Sequence, residues 1–217
     1  MKASILLSLL FLVPVLVRAQ AVRVGIRAGV NVASADQKSI DQIKRVLSLI
    51  GSDVTLKPVT GYHAGVVLNV GGPKFSLQPE FLYSQYGARF DGGANSVELK
   101  TNVIEVPILA KYALGNRDTR FFVNAGPFFD YALNGKLTLD FSGRRLIQDV
   151  TFDKTSDRIA YGLAGGVGLT RPLGRGNVLL EARYSYSLRS KVPQLGNTNI
   201  NASLGMLSIG YILPAGR

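Results

Sequence analysis

The sequence predicts an all-β fold, an eight-stranded antiparallel up-and-down barrel with short turns at one end and long loops at the other. Three observations carry this. Phe75–Phe90, FSLQPEFLYSQYGARF, puts Phe75, Leu77, Pro79, Phe81 and Tyr83 on one row and Ser76, Gln78, Glu80 and Ser84 on the other, the period-two signature of a strand. Segments of this kind recur eight times along the chain. The connections between them run long, short, long, short, long, short, long, the rhythm of a meander whose turns gather at one end.

The first residues, MKASILLSLLFLVPVLVRAQ, read as a secretory leader. One Lys precedes an apolar run, and Val17 and Ala19 stand at small-residue spacing. This gives a signal peptide over residues 1–19, cleavage after Ala19 and a single barrel domain over residues 20–217; a retained N-terminal anchor helix is the alternative. With no Cys, disulfides and thiolate metal sites are excluded. The formal charge of +11 falls to +9 once Lys2 and Arg18 leave with the leader. The basic residues scatter over expected loops and turns without a recognition helix, which argues against nucleic acid and for attraction to acidic lipid head groups.

Taken in order, the first strand is Val22–Val32, with Val22, Val24, Ile26, Ala28, Val30 and Val32 on the apolar row. The long connection 33–60 places Ile40, Ile43, Leu47 and Ile50 at helical spacing behind Ser39 as an N-cap, which predicts a short amphipathic helix; a polar loop is the alternative. Gly61–Val70 is the second strand, and Gly71-Gly72-Pro73-Lys74 turns it into the third, Phe75–Phe90. DGGANS reads as a longer connection, followed by the fourth strand with Asn102, Ile104, Val106, Ile108, Ala110 and Tyr112 on its apolar row. After a short link comes the fifth, Arg120–Leu133, and Asn134–Asp157 reads as a long polar connection. Arg158–Thr170 is the sixth, with a nearly bare second face of Ala160, Gly162, Ala164, Gly166 and Gly168. The seventh sets Val178, Leu180, Ala182, Tyr184, Tyr186 and Leu188 against Glu181, Arg183, Ser185 and Ser187, and after a last loop, 191–199, the eighth covers Leu204–Leu213.

Closure into a membrane-spanning barrel follows from strand length and hydrogen bonding. Strands of about ten residues cross hydrocarbon at a tilt, and in lipid an unpaired backbone amide finds no water, so the sheet must have no edge. Tyr62, Tyr83, Phe121, Tyr131, Tyr161, Tyr186 and Tyr211 suit the interfacial girdles of such a barrel. Pro79, Pro107 and Pro127 fall inside strands, which predicts bulges or local bends.

The segments FSLQPEFLYSQYGARF, VIEVPILAKYAL, FFVNAGPFFDYAL and LLEARYSYSL resemble the PorT-like outer-membrane β-barrel proteins of Bacteroidetes, the more specific parts being LQPEFLYS, EVPILAKY and NAGPFF. The last strand departs from that pattern, because Tyr211 is followed by ILPAGR. The resemblance implies an eight-stranded barrel in the cell outer membrane. One branch of that family takes part in secretion and gliding machinery, so envelope or secretion-machinery proteins enter as candidate partners beside outer membrane lipids and lipopolysaccharide.

Counting from the short turns places Arg27, Glu80, Glu105, Glu181 and Arg183 on inward rows at similar depth, with Lys111 lower, which predicts a structural charge network in the lumen. The glycines of the sixth strand lack the strand–loop–helix context of a phosphate-binding loop and read as space for larger neighbours. No catalytic, cofactor or metal site is expected, since His63 is the single histidine. The reading is therefore a monomeric, non-enzymatic barrel with a structural, envelope or loop-mediated binding role. Two alternatives stand beside it: a soluble lipocalin-like barrel holding an apolar ligand, and a lipid-modifying enzyme built on His63.

Overall fold

A computed structural model describes residues 22–35, 55–93, 95–115, 118–141, 143–150, 158–189, 191–192, 198–199 and 202–214. The leader and the helix expected behind Ser39 lie outside them. Among the described residues there are twelve strands: β1 Val22–Ala35, β2 Thr55–Pro58, β3 Thr60–Gly71, β4 Phe75–Asp91, β5 Asn95–Gly115, β6 Arg120–Phe141, β7 Arg144–Val150, β8 Ile159–Leu173, β9 Gly176–Arg189, β10 Lys191–Val192, β11 Thr198–Asn199 and β12 Ala202–Ile212. Eight of them close in the order β1-β3-β4-β5-β6-β8-β9-β12, every neighbour antiparallel and β12 returning to β1. That is the eight-stranded up-and-down barrel expected. Both ends of the barrel chain, the start of β1 and the end of β12, lie at the rim of the short turns, the rim that faces the periplasm in barrels of this topology.

The alternation sorts side chains without exception on the key rows. Ile26 is 66% exposed and Leu207 61%, while Gln78 and Glu105, on the alternate rows, are 0% and 1% exposed. An apolar exterior around a polar, charged interior inverts a lipocalin, so the soluble apolar-ligand alternative falls. On β4 the outward row Phe75, Leu77, Pro79, Phe81, Tyr83 spans about the nine residues that a tilted strand needs to cross hydrocarbon. Tyr83 pairs across to Ile104, and Ile104 to Tyr131, so the apolar belt ends at one height on three strands.

Above that height the pairing continues, and here the sequence reading is corrected. DGGANS holds a tight turn, Gly92 N–H to Asn95 O at 2.8 Å, with Gly93 in the left-handed region. Residues expected as a polar connection, 134–157, contain the end of β6 and the hairpin partner β7. β2 adds to the outer end of β4. The outward side chains turn polar because they leave lipid, and the backbone ladder goes on because it remains satisfied.

Of the bulges or local bends expected at the prolines, register-shifting bulges are absent at Pro79 and Pro107. Ladder pairs are skipped beside Pro79 and Pro107, yet the register on either side is unchanged; the register shifts fall instead at Asn102/Val103 and Tyr161/Gly162. The bare face of β8 receives its neighbours' rings: a Cβ on Gly168 would meet Phe122, and one on Gly162 would meet Phe128. Apolar layers cross the lumen below, at Val67, Phe122, Leu179 and Ile212, and above, at Leu82, Leu204 and Met206.

Candidate functional site

Between those apolar layers lies a charged one. Arg183 of β9 grips Glu80 of β4 with both terminal nitrogens, at 2.7 and 2.9 Å, and its Nε donates to Glu181 Oε1 at 2.7 Å. Arg27 of β1 bridges the same two carboxylates, 2.8 Å to Glu80 and 3.2 Å to Glu181, and Gln78 Nε2 donates to Glu80 at 2.6 Å. All four charged side chains are fully buried. Two guanidiniums against two carboxylates make the group neutral, and the planar forks reach several carboxylate oxygens at once, the arrangement in which burial of charge is tolerated. Gly166 makes room: a Cβ there would stand 3.2 Å from Glu181 Oε1.

The six lumen residues expected from sequence are all buried on inward rows, but the structure joins four of them directly. Glu105 is held by hydroxyls, accepting from Ser84 Oγ at 3.1 Å and Tyr86 Oη at 2.6 Å, opposite Asp130 in the β5–β6 ladder. Lys111 lies nearer the periplasmic rim with Nζ 3.8 Å from the Phe122 ring centroid, a cation–π contact.

His63 has partners that no spacing in the chain signals. Asn31 Nδ2 donates to the carbonyls of Tyr62 and Gln85, leaving Asn31 Oδ1 to accept from His63 Nδ1–H. His63 Nε2 then accepts from Ser208 Oγ–H at 2.8 Å, and Arg27 donates to the same oxygen. This is the connectivity of a nucleophile, a base and an orienting amide. Its setting differs from an open site: all three residues are buried in the lumen, with Asn31 opposite Met206 in the β1–β12 ladder. His63 also rests on Gly29, where a Cβ would come within 2.6 Å of its ring.

Outside the belt, β2, β4, β5, β6 and β7 form a projecting five-stranded sheet with two unlike faces. Its inner face aligns Leu56 with Phe90, Phe90 with Val97, Val97 with Leu139 and Leu99 with Leu137. Leu99 and Leu137 pack against the cluster of Val103, Ala132 and Val150. The outer face carries Lys57, Arg89, Lys100, Lys136 and Arg145 among Asp91, Glu98, Asp140 and Asp149, with ion pairs Lys57–Asp91 and Lys100–Glu98 at 2.7 Å, Arg145–Asp140 at 3.5 Å and Arg89–Glu98 at 4.0 Å. The Lys57 ammonium, and then the Gly93 amide, hold the Asp91 carboxyl below the usual Asp range. β7 pairs only with β6 among the described residues, and Leu146 and Ile147 on it are exposed.

The profile of the family described as outer membrane protein beta-barrel domain matches residues 18–191. Similar solved structures include Neisserial surface protein A, NspA, at 14% identity and a TM-score of 0.48, covering 91% of this chain and 99% of that one. Ail, the attachment invasion locus protein of Yersinia pestis, shows 14% identity and a TM-score of 0.40 over 89% and 99% of the two chains. The outer membrane protein OprG of Pseudomonas aeruginosa shows 12% and 0.42 over 90% and 96%. No curated protein matches the chain in sequence.

Proposed function

Because the chain belongs to the outer membrane protein beta-barrel domain family, we propose that it is a monomeric, non-enzymatic outer membrane protein whose projecting sheet binds at the cell surface. The observation that carries this is the division of the molecule. Its lumen is filled by the neutral charge layer between two apolar layers, while β4, β5 and β6 continue past the lipid belt into a sheet with a densely charged outer face on which cations slightly outnumber carboxylates. A filled lumen suits anchorage, and a paired, protruding sheet suits recognition. Lys57, Arg89, Lys100, Lys136 and Arg145 supply attraction to the phosphates of lipopolysaccharide and acidic lipid heads. The PorT-like segments LQPEFLYS, EVPILAKY and NAGPFF support placement among the Bacteroidetes barrels.

The test is a shortened variant in which the β6–β7 hairpin, residues 136–149, is replaced by a Gly-containing turn. It should still migrate in the heat-modifiable manner of a folded barrel yet bind lipopolysaccharide micelles less than the parent. Equal binding by both would overturn the surface-binding role.

The linked Asn31, His63 and Ser208 favour a second reading, an enzyme hydrolysing or transferring lipid acyl groups. It requires that purified, folded protein release fatty acid from phospholipid and that Ser208→Ala abolish the release. No turnover by the parent protein eliminates it.

A further inference from the structure

The periplasmic end of the lumen contains a cavity of about 240 Å³ that the charge layer does not use. Arg23 of β1, Lys111 of β5 and Arg120 of β6 converge on it, with Asn69, Ser76 and Asn177 as further polar lining, and no Asp or Glu is present in its wall. None of the ion pairs among the described residues involves these three cations. The carboxylates of Glu80 and Glu181 are ion-paired to Arg27 and Arg183 in the neutral layer above, and neither stands within ion-pair distance of the three cations below it.

The three are held in place by groups other than carboxylates. Arg23 Nη2 donates to Gly72 O at 3.3 Å and Arg120 Nη1 to Pro73 O at 3.2 Å, so both guanidiniums are tied to the β3–β4 turn. Lys111 is steadied by the Phe122 ring. Each therefore keeps donors in reserve, and Arg23 Nε is buried without an acceptor. Like charges gathered in a partly enclosed recess repel, and an unsatisfied buried donor is costly; an anion removes both penalties at once.

We propose that this periplasmic mouth binds a phosphate group, free or as the monoester of a small soluble molecule. Two guanidinium forks, an ammonium, two amides and a hydroxyl match the several oxygens of a tetrahedral oxyanion better than the two of a carboxylate. The small volume limits the ligand to little more than the phosphate itself, compared with the roughly 300–1,000 Å³ of drug-sized sites. The opening lies inside the ring of strands, which selects a soluble anion over a lipid whose chains must stay on the outer wall.

Isothermal titration of detergent-folded protein with inorganic phosphate, glycerol phosphate, acetate and chloride tests this. Saturable binding is expected for phosphate or glycerol phosphate, whichever is the source, and each of Lys111→Met and Arg120→Met should weaken it about tenfold or more, the loss of one charge-assisted contact. Heat-modifiable migration checks that both variants fold, and Arg120, at the rim, is the safer of the two. No saturable phosphate binding by the parent, equal binding by folded Arg120→Met, or equal binding of acetate or chloride would each overturn the proposal.

Discussion

Arg183 is the residue on which the lumen charges depend most, since it alone contacts Glu80 through two nitrogens and Glu181 through a third. Arg183→Ala leaves Glu80 and Glu181 to share Arg27, and a buried carboxylate without its partner costs roughly 3–5 kcal/mol. Urea unfolding in detergent should show that loss; a midpoint equal to the parent's would mean that the charges are solvated. Replacing all four charges together by apolar residues of similar volume should cost far less than Arg183→Ala, because nothing is then left unpaired. His63→Ala tests the neighbouring chain of hydrogen bonds, stranding Asn31 Oδ1 and removing the acceptor of Ser208 at about 1–3 kcal/mol for each buried group left unpaired. A structural role predicts this loss of stability whether or not any lipid is turned over.

At the scale of the element, β8 illustrates how a strand is fitted to its neighbours by what it lacks. Gly168→Val would drive a side chain into Phe122 and should cost about 1–3 kcal/mol by overpacking, whereas Gly205→Ala, on the outward row with its nearest neighbour 3.9 Å away, should be tolerated. Comparable urea midpoints for the two variants would remove the packing explanation. β2 is held to β4 by backbone pairing and by Lys57–Asp91. Because the folded-state pKa of Asp91 is depressed, the stability it contributes is present above the ordinary Asp range and lost as pH falls through the folded value. Asp91→Asn should therefore raise deuterium uptake at Thr55–Pro58 at neutral pH, with the parent approaching it only in acid. Alternation made the inward and outward rows legible from sequence, including Arg27, Glu80, Glu181 and Arg183. The projecting sheet was less legible because Gln85, Asn102 and Lys100 resemble loop residues once the apolar outward row stops. A signal was nonetheless present in Val97-Glu98-Leu99-Lys100 and Leu137-Thr138-Leu139-Asp140, which keep period two with the polar residues facing water. Partners such as Asn31, His63 and Ser208 depend on register across strands, which no local pattern specifies.

For the whole molecule, the successive layers predict that the barrel conducts poorly: planar bilayers should show no stable channel steps, and steps of porin size would contradict a filled lumen. Orientation admits a sharper test because the chain has no native cysteine, so a single introduced thiol reports its own compartment. Arg145 lies on the exposed β7 beyond the apolar belt, and Lys74 is exposed in the tight β3–β4 turn at the opposite end. The physical basis for placing Arg145 outside is the height at which Phe81 and Tyr83 give way to Gln85 and Arg89, the ladder continuing past it into β7. Lys74 shares its end with the start of β1 and the end of β12, where export through the periplasm leaves short turns. An impermeant maleimide applied to intact cells should label Arg145→Cys and spare Lys74→Cys, and both should react after the outer membrane is opened. Labelling of Lys74→Cys alone in intact cells would invert the topology, and with it the assignments of the surface sheet and the phosphate-binding mouth.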